Sequence, residues 1–312
     1  MNAAFGIVAR SAFAALAATA LGACGEPPPE PAATTPDPAT ESAPAADEKL
    51  TAGEHSWTTA DGNTMPYVVA GGGDATVLLV HCWMCDRTFW SRQVPVLSSR
   101  YRTIAVDLPG HGEASVERET WTVSGYGEDV AGLIEDLDLT NVVLVGHSMG
   151  GPVSLRAAAL SGDRVRGIVA VDTLHDAEYE FPQPMIDQML TAFAEDFQGA
   201  CSGFIRTMFV EDGVEAVAEE VARKGCNPAH AEVGTALMKD FGAIDTETWF
   251  REAGVPIRAI NAAAPFPTRI EANRKYADFD AVLMENVGHY PHMTRPDEFN
   301  PLMLEAIEGL LL

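Results

Sequence analysis

The sequence predicts an α/β protein built on a mostly parallel sheet with helices on both faces. Three observations carry this expectation. Short β-branched apolar runs alternate with segments of helical period, the signature of strand–helix–strand units whose strands are buried on both faces. Residues 141–151 drive one such run straight into Gly146-x-Ser148-x-Gly150, a strand-to-helix turn with room on either side of a serine. Beyond the N-terminal segment about 260 residues remain, which suits one domain with an insertion. At 47% hydrophobic and 8% aromatic, the chain can build a sizeable core without structural metals or many disulfides.

The elements follow in order. Residues 1–10 are weakly basic, residues 11–21 are small and apolar, and Leu21-Gly22-Ala23-Cys24 comes next. This resembles a bacterial lipoprotein signal, and the apolar run is too short and alanine-rich to read as a membrane span. The resemblance implies removal of residues 1–23 and lipidation of Cys24. With Gly25 rather than aspartate after the cysteine, it favours export to the outer membrane, facing the periplasm. A buried N-terminal helix is the alternative, but the proline-rich stretch that follows would leave it nothing to pack on. Residues 24–48 then form a tether: from 26 to 48 the composition is Pro, Ala, Thr, Ser, Asp and Glu, with no hydrophobic period.

Antiparallel strands are expected near 53–59 and 64–70. The apolar run Thr76–Val80 ends in His81-Cys82-Trp83, and the run 103–106 leads into Asp107-Leu108-Pro109-Gly110-His111-Gly112. The run 142–145 enters the serine turn, whose following helix, 151–160, points free N–H groups and a positive dipole end toward Ser148. Residues 167–171 make a sixth strand that ends at Asp172. From 174 to 252 the pattern is helical, with Met185-Ile186-x-x-Met189-Leu190-x-x-Phe193 and Val214-x-x-Val217-x-x-x-Val221 at three- and four-residue spacings. Strands near 256–261 and 280–285 and a helix over 297–311 complete the chain, with residues 281–289 read as a strand that delivers His289.

These segments, in this order, resemble the α/β-hydrolase family over about residues 53–312. The resemblance implies an eight-stranded, mostly parallel sheet formed by residues 49–173 and 253–312, with a helical cap, residues 174–252, inserted after the sixth strand. It makes the serine turn a nucleophile elbow with Ser148 as nucleophile and His289 as general base, and it makes the backbone N–H groups of Trp83 and Met149 an oxyanion hole. His81-Cys82-Trp83 matches the family's His-Gly-x loop with cysteine in place of glycine. Asp107 and His111 are expected to be structural. Caps of this kind roof the site, so Met185, Met189, Phe193, Phe204 and Met208 are candidates for a largely apolar substrate pocket, although such a stripe more often packs within its own protein.

One departure concerns the acid. The stretch 255–265, where most relatives carry it, has no carboxylate. Some members carry the acid at the end of the sixth strand instead, which points to Asp172, with Asp176 behind it. The alternative for Asp172 is a turn cap. His292 competes with His289 for the base, but His289 has the closer strand support.

A serine at the elbow argues against dehalogenase or epoxide-hydrolase chemistry, which needs a carboxylate nucleophile there. The expected reaction is therefore hydrolysis of small apolar acyl substrates, carboxylic esters above all, through an acyl-enzyme. A cofactor-free carbon–carbon hydrolase or a perhydrolase would use the same residues, and a non-catalytic binding lipoprotein would explain the missing usual acid. No cofactor is implied, and the histidines form no convincing metal set. The net charge of −25, from 45 acidic against 20 basic residues, disfavours nucleic acid and anionic lipid surfaces, leaving the N-terminal lipid as the membrane contact. The oligomeric state is open. Besides Cys24 there are Cys82, Cys85, Cys201 and Cys226. Cys201 with Cys226 is the favoured pair, as a staple across the cap. Cys82-x-x-Cys85 reads as structural or incidental rather than redox-active or metal-binding.

Overall fold

The computed structural model describes residues 49–312; the expected signal segment, Cys24 and the tether lie outside the described residues. Eight strands make one sheet: β1 (Gly53–Thr58), β2 (Thr64–Ala70), β3 (Thr76–Val80), β4 (Arg102–Val106), β5 (Val142–His147), β6 (Val165–Val171), β7 (Ile257–Ala262) and β8 (Phe279–Met284). Their spatial order is β1-β2-β4-β3-β5-β6-β7-β8. β2 pairs antiparallel with β1 and with β4, and every other pairing is parallel. This is the α/β-hydrolase fold that the sequence predicts.

The parallel strands read as unbroken apolar runs because both of their faces are covered. On one face Val77, Leu79, Val143, Val145 and Val169 pack against Leu97 and against Phe299, Met303 and Ile307. These partners lie on α1 (Val94–Ser98) and on the C-terminal helix (Pro296–Leu311). On the other face Leu78, Val80, Leu144 and Ile168 meet side chains of α2 (Val123–Asp136) and α3 (Gly150–Ser161). The Thr122 side chain caps α2 by accepting from the Gly125 N–H at 3.0 Å, satisfying a donor that the first turn leaves free.

Between β6 and β7 stand four helices, α4 (Gln183–Thr207), α5 (Glu215–Gly225), α6 (Ala231–Asp240) and α7 (Thr246–Ala253). α4 buries Ile186, Phe193, Phe197, Cys201 and Ile205, a stripe at helical spacing. It breaks at Asp196, whose backbone is non-helical. The Asp196 carboxylate accepts from the Gly199 N–H at 3.0 Å and so restarts the helix as a cap would. A disulfide joins Cys201 of α4 to Cys226 after α5.

The last strand is shorter than the apolar run suggests. It ends at Met284, and Asn286 then turns the chain with φ +54°, a left-handed conformation that asparagine adopts more readily than most residues. His289 is therefore delivered by a loop, not by the strand itself.

Sheet register sets the site's level. Val80 pairs with Gly146, His147 with Val171, and Val171 with Ile260, so the residues following β3, β5, β6 and β7 emerge along one rim, where open α/β sheets bind ligands. At that rim the first residue of α3 touches the exit of β3. A Cβ added at Gly150 would lie 2.3 Å from the Val80 carbonyl oxygen, and both are backbone groups held in regular structure. Gly150→Ala gains about 1 kcal/mol in helix propensity but forces this contact. We expect a net loss of about 2 kcal/mol, measured by urea unfolding; a variant as stable as wild type would refute the close approach.

Candidate active site

Ser148 sits at the rim with φ +52°, a strained conformation for a non-glycine residue. Its N–H donates to the Val171 carbonyl at 3.1 Å, and its carbonyl accepts from the Thr173 hydroxyl at 2.8 Å. Gly146 makes this tight turn possible, because a Cβ there would lie 2.2 Å from the Gly150 carbonyl oxygen. The turn is thereby tied to both residues that flank Asp172.

Asp172 leaves β6 with φ +42° and is only 6% exposed. Its two carboxylate oxygens have separate tasks. Oδ1 accepts from the Ala262 N–H at 2.7 Å, and Oδ2 lies 2.5 Å from His289 Nδ1. Burial alone would push this carboxyl up, but the His289 hydrogen bond and charge, His175 and the Ala262 amide outweigh it and hold the carboxyl below the ordinary aspartate range. Asp172 is thus an anion at neutral pH. A carboxylate can only accept, so His289 Nδ1 carries the proton and Nε2 is left as the basic nitrogen. Asp176, the other aspartate the sequence offered, instead pairs with Arg269 at 3.2 Å.

The His289 loop is pinned from two sides. The His147 ring nitrogen Nε2 donates to the His289 carbonyl at 2.7 Å, and the His289 N–H donates to the carbonyl of Met208, at the end of α4. Gly288 is required for that approach, since a Cβ there would lie 2.4 Å from the same Met208 oxygen. His292, the competing histidine, is fully buried against Trp90 and His147, and neither of its ring nitrogens has a partner. Burial, with His289 nearby, depresses it to about 3. It fills space rather than facing Asp172.

Trp83 follows β3, and Met149 caps the start of α3, whose first residue, Gly150, meets the Val80 and His81 carbonyls. The Trp83 indole points into the cap: its N–H donates to the Gly234 carbonyl at 3.0 Å, Phe193 stacks on it at 5.8 Å, and Phe204 meets it edge-on at 6.0 Å. Of the other pocket candidates, Met189 is half-buried against the core, Met185 is exposed on the first turn of α4, and Met208 contributes its carbonyl. Two clefts open nearby, one of about 280 Å³ that includes Cys85, Arg87 and Lys224 and one of about 480 Å³ that includes Glu211 and Asn286. Neither is lined by Ser148 or by these cap residues.

The sequence did not single out the partners that hold the acid in place. Asn261 binds the Thr173 backbone through both its oxygen and its nitrogen at 3.1 Å, and His175 Nε2 lies 3.6 Å from Asp172 Oδ1. The spacing of His175, three residues after Asp172, was the one signal available. Asp107 has a structural task, accepting from the Arg87 and Glu113 N–H groups at 2.7 and 3.0 Å and pairing with the Arg87 guanidinium.

Residues 77–302 match the model of the Alpha/beta hydrolase family. The chain is 25% identical over 255 residues to the karrikin insensitive 2 receptor CA of Petunia hybrida, covering 77% of this chain and 94% of that one. It is likewise 25% identical over 250 residues to a pimeloyl-[acyl-carrier protein] methyl ester esterase of Neisseria meningitidis, covering 75% and 77%. Among solved structures, the bromoperoxidase from Bacillus anthracis superposes with a TM-score of 0.72 at 20% identity, over 82% of this chain and all of that one.

The buried histidines make the domain acid-sensitive. His292 has an ordinary value of 6.5 and a folded value of about 3, so the neutral form stabilises the fold fully above pH 6.5, and that contribution is lost as pH falls toward 3. His147, depressed by burial and by His292 and His289, acts in the same direction. We expect urea unfolding at pH 5 to show a loss on the order of 2 kcal/mol from His292 relative to pH 7. The pH dependence should flatten in His292→Gln, and an equally steep dependence in that variant would refute the assignment.

Proposed function

We propose, because the chain belongs to the alpha/beta hydrolase family, that it is a serine hydrolase cleaving carboxylic esters of small apolar acids through an acyl-enzyme. The observation that best supports this reading is the 2.5 Å contact between Asp172 Oδ2 and His289 Nδ1, made beside a serine held at φ +52°. In this mechanism Ser148 Oγ attacks the ester carbonyl, and its proton passes to His289 Nε2. Asp172 holds the imidazole in the required tautomer and stabilises the imidazolium. The N–H groups of Trp83 and Met149 receive the negative charge that develops on the carbonyl oxygen. His289 then returns the proton to the leaving alkoxide, and water activated by the same base releases the acid.

The esterase relative from Neisseria meningitidis supports an ester substrate, and the aromatic packing of Phe193 and Phe204 on Trp83 supports an apolar acyl group. A second reading, ligand binding without turnover, is favoured by the similarity to a protein named as a receptor. In the proposed organisation, residues 1–23 are removed on export and Cys24 is lipidated. Residues 24–48 tether the catalytic domain to the bacterial membrane, with the outer membrane facing the periplasm favoured.

A fluorophosphonate should label Ser148 stoichiometrically in the folded protein, and no labelling would favour the binding reading. On a p-nitrophenyl ester, Ser148→Ala should abolish acyl-enzyme turnover, and Asp172→Asn should lower kcat by about 10³- to 10⁴-fold. A wild-type rate in Ser148→Ala would refute the mechanism. For the anchor, the full chain should partition with detergent and Cys24→Ser should not; identical partitioning would refute lipidation.

A further inference from the structure

We propose that the disulfide between Cys82 and Cys85 is a positioning device for the oxyanion hole, holding the Cys82–Trp83 peptide so that the Trp83 N–H faces the substrate oxygen. The inference rests on the serine-hydrolase reading of Ser148 and adds a working part to it.

The peptide unit is planar. In a trans peptide the carbonyl of one residue and the N–H of the next point in opposite directions, so fixing one fixes the other. The Cys82 carbonyl is fixed. It lies 2.8 Å from His81 Nδ1, and it accepts from the Cys85 N–H at 3.2 Å. His81 Nε2 accepts from the Leu108 N–H at 3.0 Å, so in neutral His81 the proton is on Nδ1, and that nitrogen donates to Cys82. The Trp83 N–H is therefore aimed away from His81.

The turn that provides the second of these bonds is not one its residues choose freely. Residues 82–85 form a four-residue turn with Cys82 and Cys85 Cα atoms 5.2 Å apart, closed by the Cys85 N–H bond. Its third residue, Met84, is held at φ +56°. A left-handed conformation is unfavourable for a non-glycine residue, and methionine has no short polar side chain to offset it. Turns with positive φ at this position usually take glycine or asparagine. Here the covalent bond between the first and fourth residues removes the open alternatives instead. The same sulfur also reaches the base side of the site, because the buried Tyr290 hydroxyl, next to His289, lies 3.9 Å from Cys82 Sγ. Cys85 borders the cleft of about 280 Å³, which gives a small dithiol a route to the bond.

Opening the bond consumes one dithiol. The dithiol gives up two electrons and two protons and becomes a cyclic disulfide, while Cys82 and Cys85 become thiols. The closing experiment compares wild type with Cys82→Ala/Cys85→Ala, each with and without dithiothreitol, with rates expressed per fluorophosphonate-reactive Ser148. Removing one oxyanion donor typically costs about 10²- to 10³-fold in kcat. A donor left free to turn should cost about 10- to 100-fold, with KM within about twofold. The inhibition constant of a trifluoromethyl ketone, whose tetrahedral adduct places an oxyanion at the same position, should rise in parallel.

Reduction of wild type should reproduce the variant's rate, and reoxidation should restore it. The variant should not respond to the reductant, which also controls for reduction of the disulfide between Cys201 and Cys226. Unchanged kcat in reduced, labelled enzyme overturns the positioning role and leaves the hydrolase reading standing. A loss confined to the reactive fraction, with kcat per labelled serine intact, also overturns it. Failure of oxidised wild type to label at all overturns both.

Discussion

Everything at this site depends on one close backbone approach, the packing of the Ser148 turn between the ends of β3 and β6. The turn has left-handed geometry at Ser148, and no side chain fits at Gly146 or Gly150, where added Cβ atoms would lie 2.2 and 2.3 Å from backbone oxygens. Once that approach is made, the first residue of α3 abuts the loop after β3. The serine's N–H and carbonyl are then bound by Val171 and Thr173, the two neighbours of Asp172. A strained residue persists only where its surroundings over-determine it. Here the sheet, the helix and the acid's own strand all do so.

The electrostatics follow from burial around this turn. Four buried or half-buried histidines, His81, His147, His175 and His292, are all held below their ordinary values, with desolvation the largest cause in each. The carboxylate of Asp172 stays ionised in this setting, its charge stabilised by His289 and the Ala262 amide. The Asp172 negative charge is thereby directed at one ring nitrogen of His289. Placing the acid at the exit of β6 also explains Asn261. At the exit of β7, this amide ties down the Thr173 backbone instead of supplying a carboxylate.

The insertion between β6 and β7 does more than cover the rim. The Met208 carbonyl accepts from the His289 N–H, and Phe193 and Phe204 enclose the Trp83 indole. α4 and the residue that follows it therefore help to fix both the histidine loop and the loop after β3. One disulfide lies within the cap, and another lies within the loop after β3, at residues 82–85. Movement of α4 would thus be felt by the site's backbone as well as by its access.

The sequence by itself determined the mostly parallel sheet and the serine turn, because strands buried on both faces must be apolar throughout and a serine turn of this kind must carry glycines at residues 146 and 150. Ser148, Asp172 and His289 were legible for the same reason, as residues at or just past the ends of such runs. The contact between Asp172 and His289 was not. The two lie 117 residues apart in sequence, and only the parallel register of β5 through β8 and the turn at Asn286 bring them together. That Asp172 reaches a ring nitrogen of His289 while Asp176 reaches Arg269 was likewise set in three dimensions. So was the orientation of the Trp83 amide, which depends on hydrogen bonds from His81 and Cys85 to a carbonyl that no pattern of residue types can orient. Local sequence sets the conformational preferences of a strand or a turn, whereas the direction of a single N–H or carboxylate is set by whatever the fold places opposite it.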